Sequence, residues 1–149
     1  MQERLTADEC KLVQASFAQI EPVAHEVAPR FFRRLFELNP DLRPLFKTTG
    51  SLPQTRLMET LSIAVIGLDG LDAIAPFVRV LGRKHVEYGV KAEDYDTARE
   101  ALSWALKEQF GPAFDDDLIA AWDVAFRAVS DVMIEAGAGL GPIDERFGW

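Results

Sequence analysis

Apolar residues return at intervals of three and four along nearly the whole chain, and no segment shows the two-residue alternation of a half-buried strand. This periodicity restricts the fold to packed helices. A pattern repeating every 3.6 residues lines one helical face, whereas on a strand it would scatter over both sides. An all-α class follows, with Gly and Pro marking the breaks. The 149 residues suffice for one core, so a single domain over 1–149 is expected. Its Gly-rich tail GAGLGPIDERFGW, from about residue 138, is expected to be irregular, with Phe147 and Trp149 pinning it to the body.

Thr6 followed by Glu9 predicts a capping box that opens a first helix running to about Ile20, where Glu21-Pro22 breaks it. A second helix carries Phe31, Phe32, Leu35 and Phe36 to Asn39-Pro40, with a kink expected at Pro29 because proline removes a backbone donor. The short turn DLRPLF follows. Past the polar connection KTTGSLP, Ser51 can cap a third helix that holds Pro53 in its first turn and shows Leu57, Leu61, Ala64, Val65 and Leu68 on one face. GLDGLD interrupts it. The next stripe is Ile74, Phe77, Val78 and Leu81, continued by His85 and Tyr88 and closed by Gly89. After KAEDYD come two long helices, one with Tyr95, Ala98, Leu102 and Leu106, the other with Leu118, Trp122, Phe126, Val129 and Met133. Asp115 to Asp117 suit the positive N-terminus of the last.

The 16 Lys and Arg against 24 Asp and Glu leave a formal charge of -8, which repels phosphate backbones and anionic lipid. Neither nucleic acid nor a membrane is an expected partner. The single cysteine, Cys10, lies on the apolar side of the first helix and is expected to be a buried, inert thiol. No signal peptide is visible, and no apolar run approaches the roughly 20 residues that a bilayer requires, so a soluble, cytoplasmic chain is expected.

His85 is one of only two histidines and continues the Leu81 stripe. An imidazole pointing inward needs partners for its nitrogens, and two readings meet that need. In the first it is a core histidine bonded to a backbone carbonyl and a side chain. In the second, one nitrogen donates to a carbonyl one turn back while the other binds iron. No other histidine, cysteine or carboxylate stands at a metal-ligand spacing from it, and Glu87 and Glu93 read as solvated charges. A lone protein ligand suits a metal whose equatorial ligands arrive with a cofactor, and haem is the candidate. Spacing alone leaves both readings open.

Three strings in order, FFRRLFELNPDLRPLF, then RLMETL with GLDGLD, then LGRKHVEYGV followed by an AAW helix, give the chain a family resemblance. Over about residues 6 to 137 it resembles a bacterial single-domain globin, similar to the globin part of flavohaemoglobins and to neuroglobin. The resemblance implies the globin fold, a three-on-three helical sandwich around a haem pocket, and haem b as cofactor. It implies that His85 is the proximal iron ligand and that Phe46, after DLRPL, packs on the porphyrin. Phe32 matches a distal position that is tyrosine in many flavohaemoglobin-like globins and phenylalanine in neuroglobin, and Leu57 matches the apolar residue over the iron. Leu81 lies one turn before the ligand. Arg83 and Lys84 have two readings, as propionate partners or as solvated surface cations.

The chain departs from the family on both sides of this pocket. Counting back from Leu57 through an unbroken helix puts Pro53 at the distal gate, where relatives carry histidine or glutamine. Gln54 is adjacent, and a local shift at the helix start would turn its amide inward. His25, two turns before Phe32, reads as a surface or helix-packing residue. Proximally, Tyr95 matches a tyrosine that helps to set the hydrogen bonding of the iron-bound histidine in flavohaemoglobins. Their accompanying glutamate falls on Gly137 here, and Glu135 lies about 200° away around the helix. The departure points away from a strongly electron-donating proximal site.

The resemblance implies reversible binding of oxygen, nitric oxide or carbon monoxide, with no catalytic residue assigned. A second expectation is nitric oxide dioxygenation with a separate reductase, since no GxGxxG loop is present to bring an electron-carrying cofactor. A gas-sensing or interaction module is the third.

Overall fold

A computed structural model describes residues 5–45 and 52–138, and of Leu52 and Pro53 it describes the backbone only. Phe46, Ser51 and the tail, with Phe147 and Trp149, lie outside the described residues. Six α-helices span these: α1 Ala7–Ile20, α2 Ala24–Leu38, α3 Leu52–Ile66, α4 Leu71–Tyr88, α5 Ala92–Phe110 and α6 Asp116–Ala138. Among the described residues there is no strand, and no single helix is long and apolar enough to cross a membrane.

The helix ends follow local chemistry. Thr6 and Glu9 form the reciprocal box, Glu9 N–H donating to Thr6 Oγ1 over 3.1 Å and Thr6 N–H to the Glu9 carboxylate over 2.9 Å. Asp115 accepts from the Leu118 N–H (2.9 Å) and opens α6. Glu21–Val23 tightens into a 3-10 turn at the predicted break, and Pro40–Leu45 is another.

One expected helix start shifts, that of α5. The second helix spans Ala24–Leu38 and holds Pro29 inside it. Pro29 leaves the His25 carbonyl without its helical donor, and both residues are exposed, so water satisfies that carbonyl on the outer face. Likewise α4 starts at Leu71 and runs through Pro76, which stands on an exposed face with Asp72. Helix α5 begins inside KAEDYD, because the buried Asp94 carboxylate accepts from the Lys91 N–H over 2.8 Å.

Two layers of three helices result, with α1, α3 and α4 against α2, α5 and α6, which is the all-α globin arrangement. Within the layers α1 meets α3, and α5 meets both α2 and α6; across them α4 and α1 meet α6, and α2 meets α3. The core joins Val13, Phe17 and Ile20 of α1 to Phe31, Phe32 and Leu35 of α2, Leu102 and Leu106 of α5, and Trp122 of α6. One polar link is sealed in it. Trp122 Nε1 donates to Ser16 Oγ over 2.8 Å, and that hydroxyl donates to the Val13 carbonyl over 2.9 Å, so no polar atom of the pair is left unpaired. Cys10 is buried as expected, and burial, with Asp69 and Glu9 nearby, pushes its thiol up and away from reactivity.

Candidate functional site

The predicted apolar stripe of α4 is two lines. Val78 and Gly82 are the buried residues of this helix, and they face α6. Phe77, Leu81, His85 and Tyr88 form a second line, about 100° round, that is half-buried or exposed. His85 therefore sits at the border of the core and not on its most deeply packed line.

His85 Nδ1 lies 2.7 Å from the carbonyl oxygen of Leu81, one turn back. A carbonyl only accepts, so Nδ1 must carry the proton and donate. The lone pair is then on Nε2, to which no hydrogen bond is made among the described residues. Burial lowers the imidazole pKa, and the bond to Leu81 opposes this in part. The neutral tautomer with a basic Nε2 is the form that a metal takes.

Two phenol rings flank the imidazole. Tyr88 lies 5.9 Å away, centroid to centroid, at 57°, and Tyr95 from α5 lies 5.9 Å away at 31°. Burial pushes the Tyr95 phenol up to about 12, so it remains neutral. Behind the histidine the helix stops in a fixed way. Gly89 has φ 97°, its N–H donates to the Val86 carbonyl over 3.0 Å, and Val90 N–H donates to the His85 carbonyl over 2.9 Å. A Cβ on Gly89 would stand 3.1 Å from Leu45 Cδ2, so the turn after α2 closes on this corner.

Phe32 is buried on α2, edge-on to Phe31 at 5.0 Å and 6.1 Å from Phe36. Leu57 is half-buried on α3 and packs on the same cluster. Helix α3 is unbroken from Leu52, so the register that puts Pro53 four residues before Leu57 holds, and Gln54 stands three before it. These positions lie about 40° and 60° to either side of the Leu57 line. Gln54 is half-buried at that position. Leu81, Arg83 and Lys84 are half-buried, and His25 is exposed. The structure thus groups His85 with Leu81, Tyr88 and Tyr95, and separately Phe32 with Leu57 in the core.

Sequence reasoning missed Gly82 and Val86. A Cβ on Gly82 would meet the carbonyl oxygen of Met133 and lie 2.7 Å from its Cα, so α4 rests on the α6 backbone there. One on Gly137 would lie 2.6 Å from Val86 Cγ2. A glycine inside a long helical stripe was the available signal.

A family model for globins matches residues 29–133. A flavohemoprotein of Halalkalibacterium halodurans is 30% identical over 135 residues, which are 88% of this chain and 33% of that protein. One of Bacillus cereus is 30% identical over 139 residues, 91% of this chain and 34% of that protein. The chain spans about a third of the length of these relatives. Among solved structures, a bacterial globin from Campylobacter jejuni superposes with a TM-score of 0.80 at 20% identity, over 89% of this chain and 96% of the other. A flavohemoglobin from Malassezia yamatoensis, with bound FAD and heme, superposes with a TM-score of 0.76 at 18% identity, over 90% of this chain and 37% of the other.

Proposed function

The chain belongs to the globin family, and from this we propose that it is a haem protein that reversibly binds a diatomic gas, with His85 Nε2 as the protein's ligand to iron. The tautomer of His85 carries the reading. With Nδ1 committed to the Leu81 carbonyl at 2.7 Å, the ring offers one lone pair in one direction. His85 would hold the haem, which when bound would supply an iron able to take a diatomic gas.

The residues present fit such a group. A lone neutral imidazole is what a haem centre takes from the protein, and among the described residues no three His, Cys, Asp or Glu cluster to hold a bare metal. Leu81, Phe32 and Leu57 would supply apolar contact, Tyr95 would steady the imidazole, and Lys84 with Arg83 would supply charge for the propionates; Phe46, outside the described residues, joins them on the resemblance alone. The resemblance supports haem of the b type, and with Cys10 as its one cysteine the sequence holds no Cys-x-x-Cys-His motif for covalent attachment.

On the distal side Phe32, Leu57 and Pro53 bring no donor. Gln54 is the amide closest in register to Leu57. Dioxygen gains most from a hydrogen bond because it gathers negative charge as it binds, whereas carbon monoxide gains least. The pocket is expected to favour carbon monoxide, with Gln54 setting how far oxygen catches up.

The resemblance to flavohaemoglobins supports one second reading, nitric oxide dioxygenation to nitrate with electrons from a separate reductase. The deciding experiment is an absorption spectrum of the haem-reconstituted protein and its His85→Ala variant, reduced and then exposed to carbon monoxide. A five-coordinate ferrous spectrum that shifts with the gas, and is lost or altered in the variant, is expected. A six-coordinate ferrous spectrum would overturn the distal assignment, and a protein that takes up no haemin would overturn the reading. Nitrate formed when nitric oxide is added to the reduced, aerated protein would favour the dioxygenase.

A further inference from the structure

Two glycines meet the opposing helix where α4 crosses α6, and neither has room for a side chain. Helices with ordinary side chains at their contact keep their axes about 8–10 Å apart. Gly82 removes that spacer on α4, and its Cα faces the Met133 backbone, where even a methyl would lie 2.7 Å from Cα and 2.8 Å from the carbonyl carbon. Gly137 removes it on α6, and the volume its side chain would fill holds Val86 Cγ2. Gly82 stands three residues before His85 and Val86 one residue after it.

The helix between them has little freedom to tilt. Its end is fixed by the bonds from Gly89 and Val90 to the Val86 and His85 carbonyls. We infer that Gly82, Val86 and Gly137 are positioning residues for His85, seating α4 on the α6 backbone and so setting the height and direction at which Nε2 is presented. Among the described residues, the Leu81 carbonyl and the rings of Tyr88 and Tyr95 lie against the imidazole. The haem reading is the premise for what Nε2 then meets.

The test is the iron–histidine stretching line in the Raman spectrum of the reduced, haem-reconstituted protein, read beside its melting temperature. Gly137→Ala is expected to shift the line. Adding Val86→Ala, which removes the atom the new methyl meets, is expected to return it. Gly82→Ala should shift it further, because a backbone cannot step aside as a side-chain tip can. Val78→Ala, equally buried on the same face but adding no atom, should lower the melting temperature and leave the line in place.

If folded Gly137→Ala keeps the native line, or Val78→Ala moves it as much, the contact is packing alone and the inference fails. Should Gly82→Ala not fold, Gly137→Ala and its Val86→Ala partner decide the matter. If the native protein takes up no haemin, the haem reading falls by itself. The positioning claim is then judged on the His85 Nδ1–H resonance in the haem-free protein, which must move in Gly137→Ala and return in the double variant.

Discussion

Two groups of helices in this molecule, α1, α2 and α5 against α3 and α4, bury their apolar residues unequally. On α5, Ala101, Leu102, Ala105 and Leu106 are shut off from solvent, and α1 and α2 each close a comparable line. On α3, Val65 is the buried apolar side chain among those described, Ile63 is exposed, and Ile66 reaches 71% exposure. On α4 only Val78 and Gly82 are buried, while Phe77 and Tyr88 are exposed. The first group completes its core from its own side chains. The second leaves apolar side chains open to solvent, and on α4 His85 lies on the same line as Phe77 and Tyr88.

Truncation of core residues gives the largest test of that contrast. Leu106→Ala, at 0% exposure, is expected to cost about 2–5 kcal/mol of unfolding free energy. Ile66→Ala, in the other group, should stay within about 0.5 kcal/mol. Urea melts of both variants check this, and a costly Ile66→Ala would erase the distinction.

Haem comes next. A ligand that binds only the folded state stabilises it by about 4 kcal/mol at a thousand-fold excess over its Kd. Hydrogen exchange should show most of the new protection in α3 and α4 and little in α5, whose slowest amides already report global opening. His85→Ala should remove most of the gain. Protection spread evenly over both groups would mean that the two open as one unit.

The same contrast decides what could be read from the sequence. The ends of the helices were legible because each rests on a few neighbouring residues, as with Thr6 and Glu9 or the left-handed Gly89. His85 stood out as a candidate ligand through its family motif, and its bond to a backbone carbonyl, now seen at Leu81, was common to both readings that the spacing left open. The division of the α4 stripe was not legible. Periodicity reports apolar character but not which of two adjacent lines meets another helix, and that was decided by Gly82 against Met133, residues 51 positions apart. Pro29 and Pro76 each stand on an exposed face in the second turn of their helices, where a proline costs one backbone bond and leaves the helix continuous.

Trp122→Phe is a smaller test, confined to the packed core. It deletes the Nε1 donor to Ser16 and leaves that hydroxyl bonded to Val13. A loss of about 1 kcal/mol is expected for the bond. Tyr88→Phe, beside His85 but exposed, should be near neutral in stability.

The smallest effect isolates His85 by its charge. Its pKa in the folded chain is lowered by burial, with the Leu81 bond opposing, while in the unfolded chain it titrates near ~6.5. Between those two values the unfolded chain holds the proton and the folded chain does not. Unfolding free energy therefore rises with pH across that window, and stability is lost as pH falls from ~6.5 through the folded pKa, levelling off below it. Melts of the haem-free protein between pH ~7 and ~5 should show this slope, and His85→Gln should flatten it. Hydrogen exchange should place the acid opening in α4 before α5. Carboxylates shared by both proteins titrate in the variant as well, so only the difference between the two curves belongs to the imidazole. Curves that fall in parallel would mean that burial of His85 sets no pH response, and that the α3–α4 group is no more sensitive to acid than the packed core.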